Sequence, residues 1–191
     1  MVEVKNVWWL GARPKTLGAA IAPVSVGTAI AFHSESFNLL NAALAAVVGL
    51  AMQIAVNYAN DYSDGIKGSD SVRVGPVRIV ATGLASAAAV KRAAMISFAI
   101  AAIAGLALAY RVNWWLILIG AIAILAAWFY TGGKSPYGYR GFGEISVFIF
   151  FGLVATVGTY YVQAAAISLT SVIAGSSIGL LSMALLIVNN L

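Results

Sequence analysis

Along this chain apolar residues run on for whole helix lengths, and charges fall between the runs. No Asp, Glu, Lys or Arg occurs in residues 37–60, 93–110, 112–133 or 145–191, stretches of 24, 18, 22 and 47 residues. A bilayer-spanning helix needs about 20 mainly apolar residues, so the last stretch has room for two. Together with the apolar segment around Pro23, the pattern predicts six spans at about 16–32, 37–62, 92–110, 114–130, 144–163 and 168–189. The expected fold class is all-α: a polytopic transmembrane helix bundle forming one membrane domain over residues 1–191. Pro23 is tolerated in such a span because neighbouring helices and side chains re-satisfy the freed carbonyl. Gly and Ala are abundant, with 19 Gly in all, and small residues let membrane helices approach closely.

Charge gives the bundle a direction. The N-terminus carries Lys5, Arg13 and Lys15, the second loop Lys67, Arg73, Arg78, Lys91 and Arg92, and the fourth loop Lys134 and Arg140, whereas the opposite side holds only Arg111. Short loops rich in Lys and Arg stay cytoplasmic. The N-terminus and these loops are therefore expected inside the cell, in a multi-pass protein of the plasma membrane. Trp114 and Trp115 suit the outer headgroup belt, Trp128 the inner one, and Trp8 and Trp9 the inner surface ahead of the first span.

Composition narrows the chemistry. Only 9% of the residues are charged, against about 25% in an ordinary soluble domain, which excludes a free-standing soluble protein. The absence of cysteine excludes disulfides, thiolate metal sites and cysteine nucleophiles. One histidine, His33, cannot build a His-rich metal cluster and reads as an interfacial residue beside the first outer loop. The net charge of +5 lies in short loops between apolar spans. Its natural partner is the lipid bilayer, with its anionic headgroups, and not nucleic acid.

The connection at about 61–91 is much longer than the outer loops, and long loops in compact proteins tend to be functional. It holds three of the six acidic residues, Asp61, Asp64 and Asp70, with five basic ones. At about 100° per residue, Asn57, Asn60, Asp61 and Asp64 share an arc of roughly 100°, and Gln53 lies on the same stripe one turn earlier. A polar row on an apolar membrane helix is expected to face the bundle interior. Two carboxylates one turn apart suit a hard cation such as Mg²⁺, which binds through one or two carboxylates, waters and substrate phosphates. The simpler account is a helix end meeting water, with Asp64-Gly65 as its turn. Against it stand the reach of the stripe into the apolar span, Arg73 and Arg78 in the same loop, and Lys134 in the only other inner loop. Carboxylates for a divalent cation and cations for phosphate oxygens are the parts needed to bind a diphosphate.

Several segments resemble the UbiA superfamily of intramembrane prenyltransferases. Asn60-Asp61-Tyr62-Ser63-Asp64, with Asp70 beyond, is similar to that family's first Asp-rich motif. Arg78-Ile79-Val80-Ala81-Thr82-Gly83 resembles its Arg-Pro-rich element, with Ile79 in place of the usual proline, and Tyr130-Thr131-Gly132-Gly133-Lys134 its Tyr-x-x-x-Lys element. Trp8 to Thr16, Asn57 to Gly65, Arg73 to Arg78 and Gly138 to Glu144 resemble the subfamily that prenylates 1,4-dihydroxy-2-naphthoate in menaquinone synthesis.

The resemblance implies transfer of a polyprenyl group from polyprenyl diphosphate to dihydroxynaphthoate, with loss of diphosphate and CO₂. It implies Mg²⁺ on Asp61 and Asp64, with Asp70 as a third candidate and Asn57 and Asn60 ligating or orienting that shell. Arg78 and Lys134 would neutralise the diphosphate, Arg73 would assist, and Tyr130 would stand with Lys134 in the substrate-binding element. The aromatic faces of Tyr58, Tyr62, Tyr130, Phe148 or Tyr160 are open candidates to stabilise an allylic cation. Arg13 and Lys15 are candidates for the acceptor carboxylate, or simple inner-surface anchors. The family has about nine spans and a second Asp-rich motif after the sixth, where this chain reads Val188-Asn189-Asn190-Leu191. On that reading the chain is part of a longer enzyme and inactive alone. The competing classes are a prenyltransferase for another aromatic acceptor and a membrane transporter. For a transporter, the carboxylates sit at one membrane face, where carriers commonly place theirs mid-bilayer.

Overall fold

The computed structural model describes residues 6–68 and 77–190, which form helices and turns with no strand. A short α1, Val7–Ala12, and a 3₁₀ turn, Pro14–Thr16, lead into α2, Gly18–His33. There follow α3, Leu39–Lys67, α4, Ala87–Arg111, α5, Trp115–Phe129, α6, Gly143–Ala164, and α7, Leu169–Asn190. Local chemistry starts the longest two: Asn38 Oδ1 accepts the N–H of Asn41 ahead of α3, and Ser86 Oγ that of Ala89 ahead of α4.

Each expected span falls on one of the apolar helices. Helices α3, α4, α6 and α7 are long and apolar enough to cross a membrane, and Val7–Thr16 with Gly18–His33, bent by 50°, makes a fifth candidate. Helix α5 has 15 residues, about 22 Å of rise against a hydrocarbon core of about 30 Å.

The C-terminal end of α3 differs from the expectation. The helix passes through Asp61, Asp64 and Gly65 to Lys67, and stops at Gly68, whose φ of 69° is the left-handed conformation that glycine adopts without strain. Asp64-Gly65 is therefore helix and not a turn. Gly65 is needed for another reason: a Cβ there would lie 2.4 Å from Val80 Cγ1, so its missing side chain is where the returning loop docks. Asp70 and Arg73 lie outside the described residues.

Packing separates residues by size more than by polarity. On α4 the buried positions include Ala94, Ser97, Ala101, Ala104 and Ala109, while Ile96, Ile100, Ile103 and Leu106 point outward. Helices α3 and α4 make the most extensive contact among the described residues, where small residues alternate with the buried Val90, Phe98 and Leu108. The core toward the C-terminal end of α3 gathers Ala12, Ala55, Tyr58, Ala59, Ile79, Val90, Ala94 and Phe98. At the other end Asn41 donates Nδ2–H to Val162 O at 2.6 Å and accepts from Arg111 Nε at 2.7 Å. That clamp ties α3, α4 and α6, and gives the lone basic residue of that end an internal partner.

Helix α6 is π-helical over Phe148–Val154. There it meets α7 backbone to backbone: a Cβ on Gly152 would lie 2.5 Å from Gly179 Cα and 2.6 Å from Gly175 O. Backbone cannot move aside as a flexible side chain can. Gly152→Ala is therefore expected to destabilise the bundle by about 1–3 kcal/mol. Gly105→Ala on α4, where a new Cβ meets nothing within 4 Å, is expected to be neutral or mildly stabilising. Thermal unfolding in detergent compares the two, and an unchanged midpoint for Gly152→Ala would contradict the close approach.

Candidate functional site at the C-terminal end of α3

The polar stripe on α3 reaches three different neighbours. Its early members face α2 and the turn before it. Gln53 donates Nε2–H to Thr16 Oγ1 at 3.1 Å and to Asn57 Oδ1 at 3.4 Å. Asn57 donates Nδ2–H to Ala12 O at 2.8 Å and to Thr16 Oγ1 at 2.9 Å. These bonds hold α3 against Arg13, which carries a left-handed φ of 51° between α1 and the 3₁₀ turn. Asn60 looks elsewhere, accepting the Thr131 hydroxyl at 2.8 Å beside the loop after α5.

Asp61 is fully buried, at 0% exposure, and its carboxylate is the anchor of the loop that follows. Oδ2 accepts the N–H of Ile79 at 2.9 Å and Oδ1 that of Val80 at 3.0 Å. Two backbone donors supply part of what water would give a charge, without which its burial would be prohibitive. Ile79, itself fully buried, then fills the space beside Gly11 and Tyr58.

Anchoring residues 79 and 80 fixes Arg78 just before them. Its guanidinium meets Asp64 Oδ2 at 3.1 Å. Tyr139, from the 3₁₀ turn Tyr137–Arg140, donates its hydroxyl to the other oxygen, Asp64 Oδ1. Lys67 lies alongside, donating to Thr131 O at 2.5 Å, with its ammonium 5.7 Å from the centre of the Tyr139 ring. The result is a carboxylate with an arginine and a phenol directly on it and a lysine next to the phenol, at the end of the bundle that carries most of the basic residues.

The remaining expected residues fall nearby or apart. Lys134 is exposed on the loop after α5 and makes no hydrogen bond or ion pair among the described residues. Tyr130 packs that loop together: its carbonyl accepts Gly138 N–H at 3.0 Å, and its ring meets Tyr137 edge-on at 5.5 Å. Burial pushes the Tyr137 phenol above its ordinary pKa, and its hydrogen bond with Ser146 partly offsets this. Of the aromatic candidates, Tyr58 donates to Trp8 O at 2.7 Å, and Tyr62 stacks on Trp128 with the Lys91 ammonium over its ring.

Sequence reasoning assigned no role to Tyr139 or Lys67. Tyr139 lies in a segment already noted for its resemblance, but spacing alone does not tell that a loop after α5 folds onto α3. Lys67 became part of the site because α3 runs two turns further than its apolar stretch.

The Asp61 contacts make a specific prediction. Asp61→Asn offers one acceptor where there are two donors, so one buried N–H loses its partner at a cost of about 1–3 kcal/mol. Hydrogen exchange at Ile79 and Val80 is expected to quicken by roughly 5- to 150-fold. Asp64→Asn is expected to leave those two amides protected. Equal protection in the wild type and both variants would refute the anchor.

Residues 20–191 match the UbiA prenyltransferase family. The 1,4-dihydroxy-2-naphthoate octaprenyltransferase of Mycobacterium tuberculosis is 52% identical over 184 residues, covering 96% of this chain and 63% of that protein. The Escherichia coli protein of the same name is 39% identical over 193 residues, with 97% and 63% covered, and that of Bacillus subtilis 31% identical over 189 residues, with 97% and 60% covered. The chain thus spans somewhat under two thirds of the length of these relatives. It belongs to the UbiA prenyltransferase family.

Proposed function

We propose that the protein carrying this chain transfers a polyprenyl group from its diphosphate to 1,4-dihydroxy-2-naphthoate, releasing diphosphate and CO₂ and giving demethylmenaquinone in its reduced, quinol form. The observation that carries the reading is the convergence on Asp64 of Arg78 and Tyr139, with Lys67 beside them, one turn from Asp61. The names of the mycobacterial and E. coli relatives support the choice of acceptor.

The donor set suits Mg²⁺ in kind: carboxylates and amide oxygens, with no sulfur or imidazole. Among the described residues no third acidic or imidazole side chain joins Asp61 and Asp64 in a metal-sized group. Asp61 and Asp64 would hold the ion, with Asp70 from the loop as a third ligand and Asn57 and Asn60 orienting the shell. When bound, Mg²⁺ would offset the negative charge gathering on the diphosphate leaving group.

The chain's own residues do the rest. Arg78 begins paired with Asp64 and exchanges that carboxylate for diphosphate oxygens, to which a guanidinium can bond in pairs. Lys67 and Lys134 add charge from two sides, and Arg73 extends the set. Tyr130 keeps the Lys134 loop folded. As the allylic C–O bond breaks, its electron pair leaves with the diphosphate; the electron-rich ring carbon attacks the cation, and the ring–carboxylate bond then breaks, releasing CO₂ and returning its electron pair to the ring. Exclusion of water from the bundle interior protects that cation from hydrolysis. No covalent enzyme intermediate is required. The site faces the cytoplasm, as does the N-terminus, in the plasma membrane.

In a protein carrying this chain at the full length of its relatives, Asp61→Asn or Asp64→Asn is expected to abolish transfer while leaving membrane insertion intact. Arg78→Gln is expected to raise the KM for prenyl diphosphate by roughly 10- to 100-fold, the worth of a charge-assisted hydrogen bond. Removing divalent cations with EDTA is expected to stop turnover, and Mg²⁺ to restore it. A radiolabelled prenyl-transfer assay reads all three, and near-normal turnover in Asp64→Asn would overturn the assignment.

A further inference from the structure

Tyr139 is 55% exposed, yet its hydroxyl bonds a carboxylate that is only 3% exposed. The turn that carries Tyr139 does not need this bond to stay in place. Gly138 N–H bonds Tyr130 O at 3.0 Å, and the Tyr137 hydroxyl meets Ala126 O at 2.8 Å and Ser146 Oγ at 2.9 Å. The two residues before Tyr139 thus fasten the Tyr137–Arg140 turn to α5 and α6. Nor does Asp64 need a second donor to balance its charge, since Arg78 brings a full opposite charge to Oδ2 at 3.1 Å. Neither the turn nor the ion pair explains the hydroxyl.

The surroundings of the phenol suit an anion larger than one carboxylate. The Lys67 ammonium lies 5.7 Å from the centre of the Tyr139 ring, and Arg78 holds the other oxygen of the same Asp64. Two cations therefore stand close to one neutral O–H donor. Such a donor serves carboxylate and phosphate oxygens alike, and a bond from O–H to an anionic oxygen is among the stronger hydrogen bonds. A tyrosine side chain turns on two torsions, so redirecting its hydroxyl costs little ordering. The exposure of Tyr139 leaves room for that turn.

Asp64 weakens as a hydrogen-bond acceptor once it shares its charge with a divalent cation. A diphosphate beside it brings several further anionic oxygens. We infer that Tyr139 is a diphosphate-binding residue, whose hydroxyl bonds Asp64 in this arrangement and passes to a diphosphate oxygen when the carboxylate takes a divalent cation. This rests on the prenyl-transfer reading and adds a donor from the loop after α5 to Arg78, Lys67 and Lys134. The hydroxyl thus opposes the cation at Asp64 and favours the diphosphate.

Tyr139→Phe removes the hydroxyl and keeps the ring beside Lys67. Calorimetry on the protein at the full length of its relatives measures two affinities, for Mg²⁺ alone and for inorganic diphosphate at saturating Mg²⁺. The variant is expected to bind Mg²⁺ roughly 3- to 10-fold more tightly, because one competing hydrogen bond is gone. It is expected to bind diphosphate roughly 10- to 100-fold more weakly, the worth of a hydrogen bond to a charged group. A turn that had merely come loose would weaken both. If both affinities fall, or either stays unchanged, the role of Tyr139 is overturned, and diphosphate binding by the wild type leaves prenyl transfer standing. Loss of the folded state in Tyr139→Phe, read from its thermal midpoint, makes the hydroxyl structural and also overturns the role. A wild type that binds no diphosphate with Mg²⁺ overturns both readings.

Discussion

The site depends on one carboxylate that never reaches the surface. Asp61 holds the backbone N–H groups of Ile79 and Val80, and through them everything that the loop carries. Without that pair of bonds Arg78 would have no fixed position relative to Asp64, and Ile79 would not fill the core beside Tyr58 and Gly11. The arrangement is reciprocal. A bare buried charge would be costly, and the two N–H groups are part of what makes it tolerable. Gly65 makes the same docking possible sterically, since any side chain there would collide with Val80. One turn of α3 thus supplies both the electrostatic and the steric seat for a returning loop.

This gives the two acidic residues of the motif different surroundings. Asp61 is joined to main chain, and Asp64 to side chains, a guanidinium and a phenol. A stripe of polar residues that looks uniform on a helical wheel is divided in space: Gln53 and Asn57 serve the α2 entry, Asn60 the loop after α5, and Asp61 and Asp64 the loop before α4. Each of these side chains thereby meets a partner outside α3, although the Oε1 of Gln53 has none among the described residues.

Much of the fold was legible because lipid demands long uninterrupted apolar runs: each expected span falls on an apolar helix, and four of these, or five with the bent entry, are long and apolar enough to cross a membrane. Residues 57–64 were also legible as an interior stripe, because period 3.6 is a local property. The end of α3 was not, since Asp64-Gly65 has the chemistry of a turn and only a distant loop packing on Gly65 makes it helix. The anchor role of Asp61 depends on backbone amides, which have no sequence signature. Tyr139 joins Asp64 from a residue 75 positions away, across a loop whose path spacing cannot give. Nor does any apolar pattern announce a π-helical segment, because Phe148–Val154 reads as ordinary helix.

That segment has a consequence for how the helix can change over time. A π turn is one residue of surplus within a helix, so the two ends of α6 are phased independently about its axis. Val162 and Gln163 at one end remain locked to Asn41 and Thr28, whatever direction the other end faces. Loss or gain of a single residue within Phe148–Val154 would swivel the Gly143–Val147 end by about 100° without disturbing that lock, at the expense of the Gly152 contact with α7. The far end of α6 is therefore held to the bundle by its own hydrogen bonds, and the π-helical segment by the close approach of Gly152 to α7.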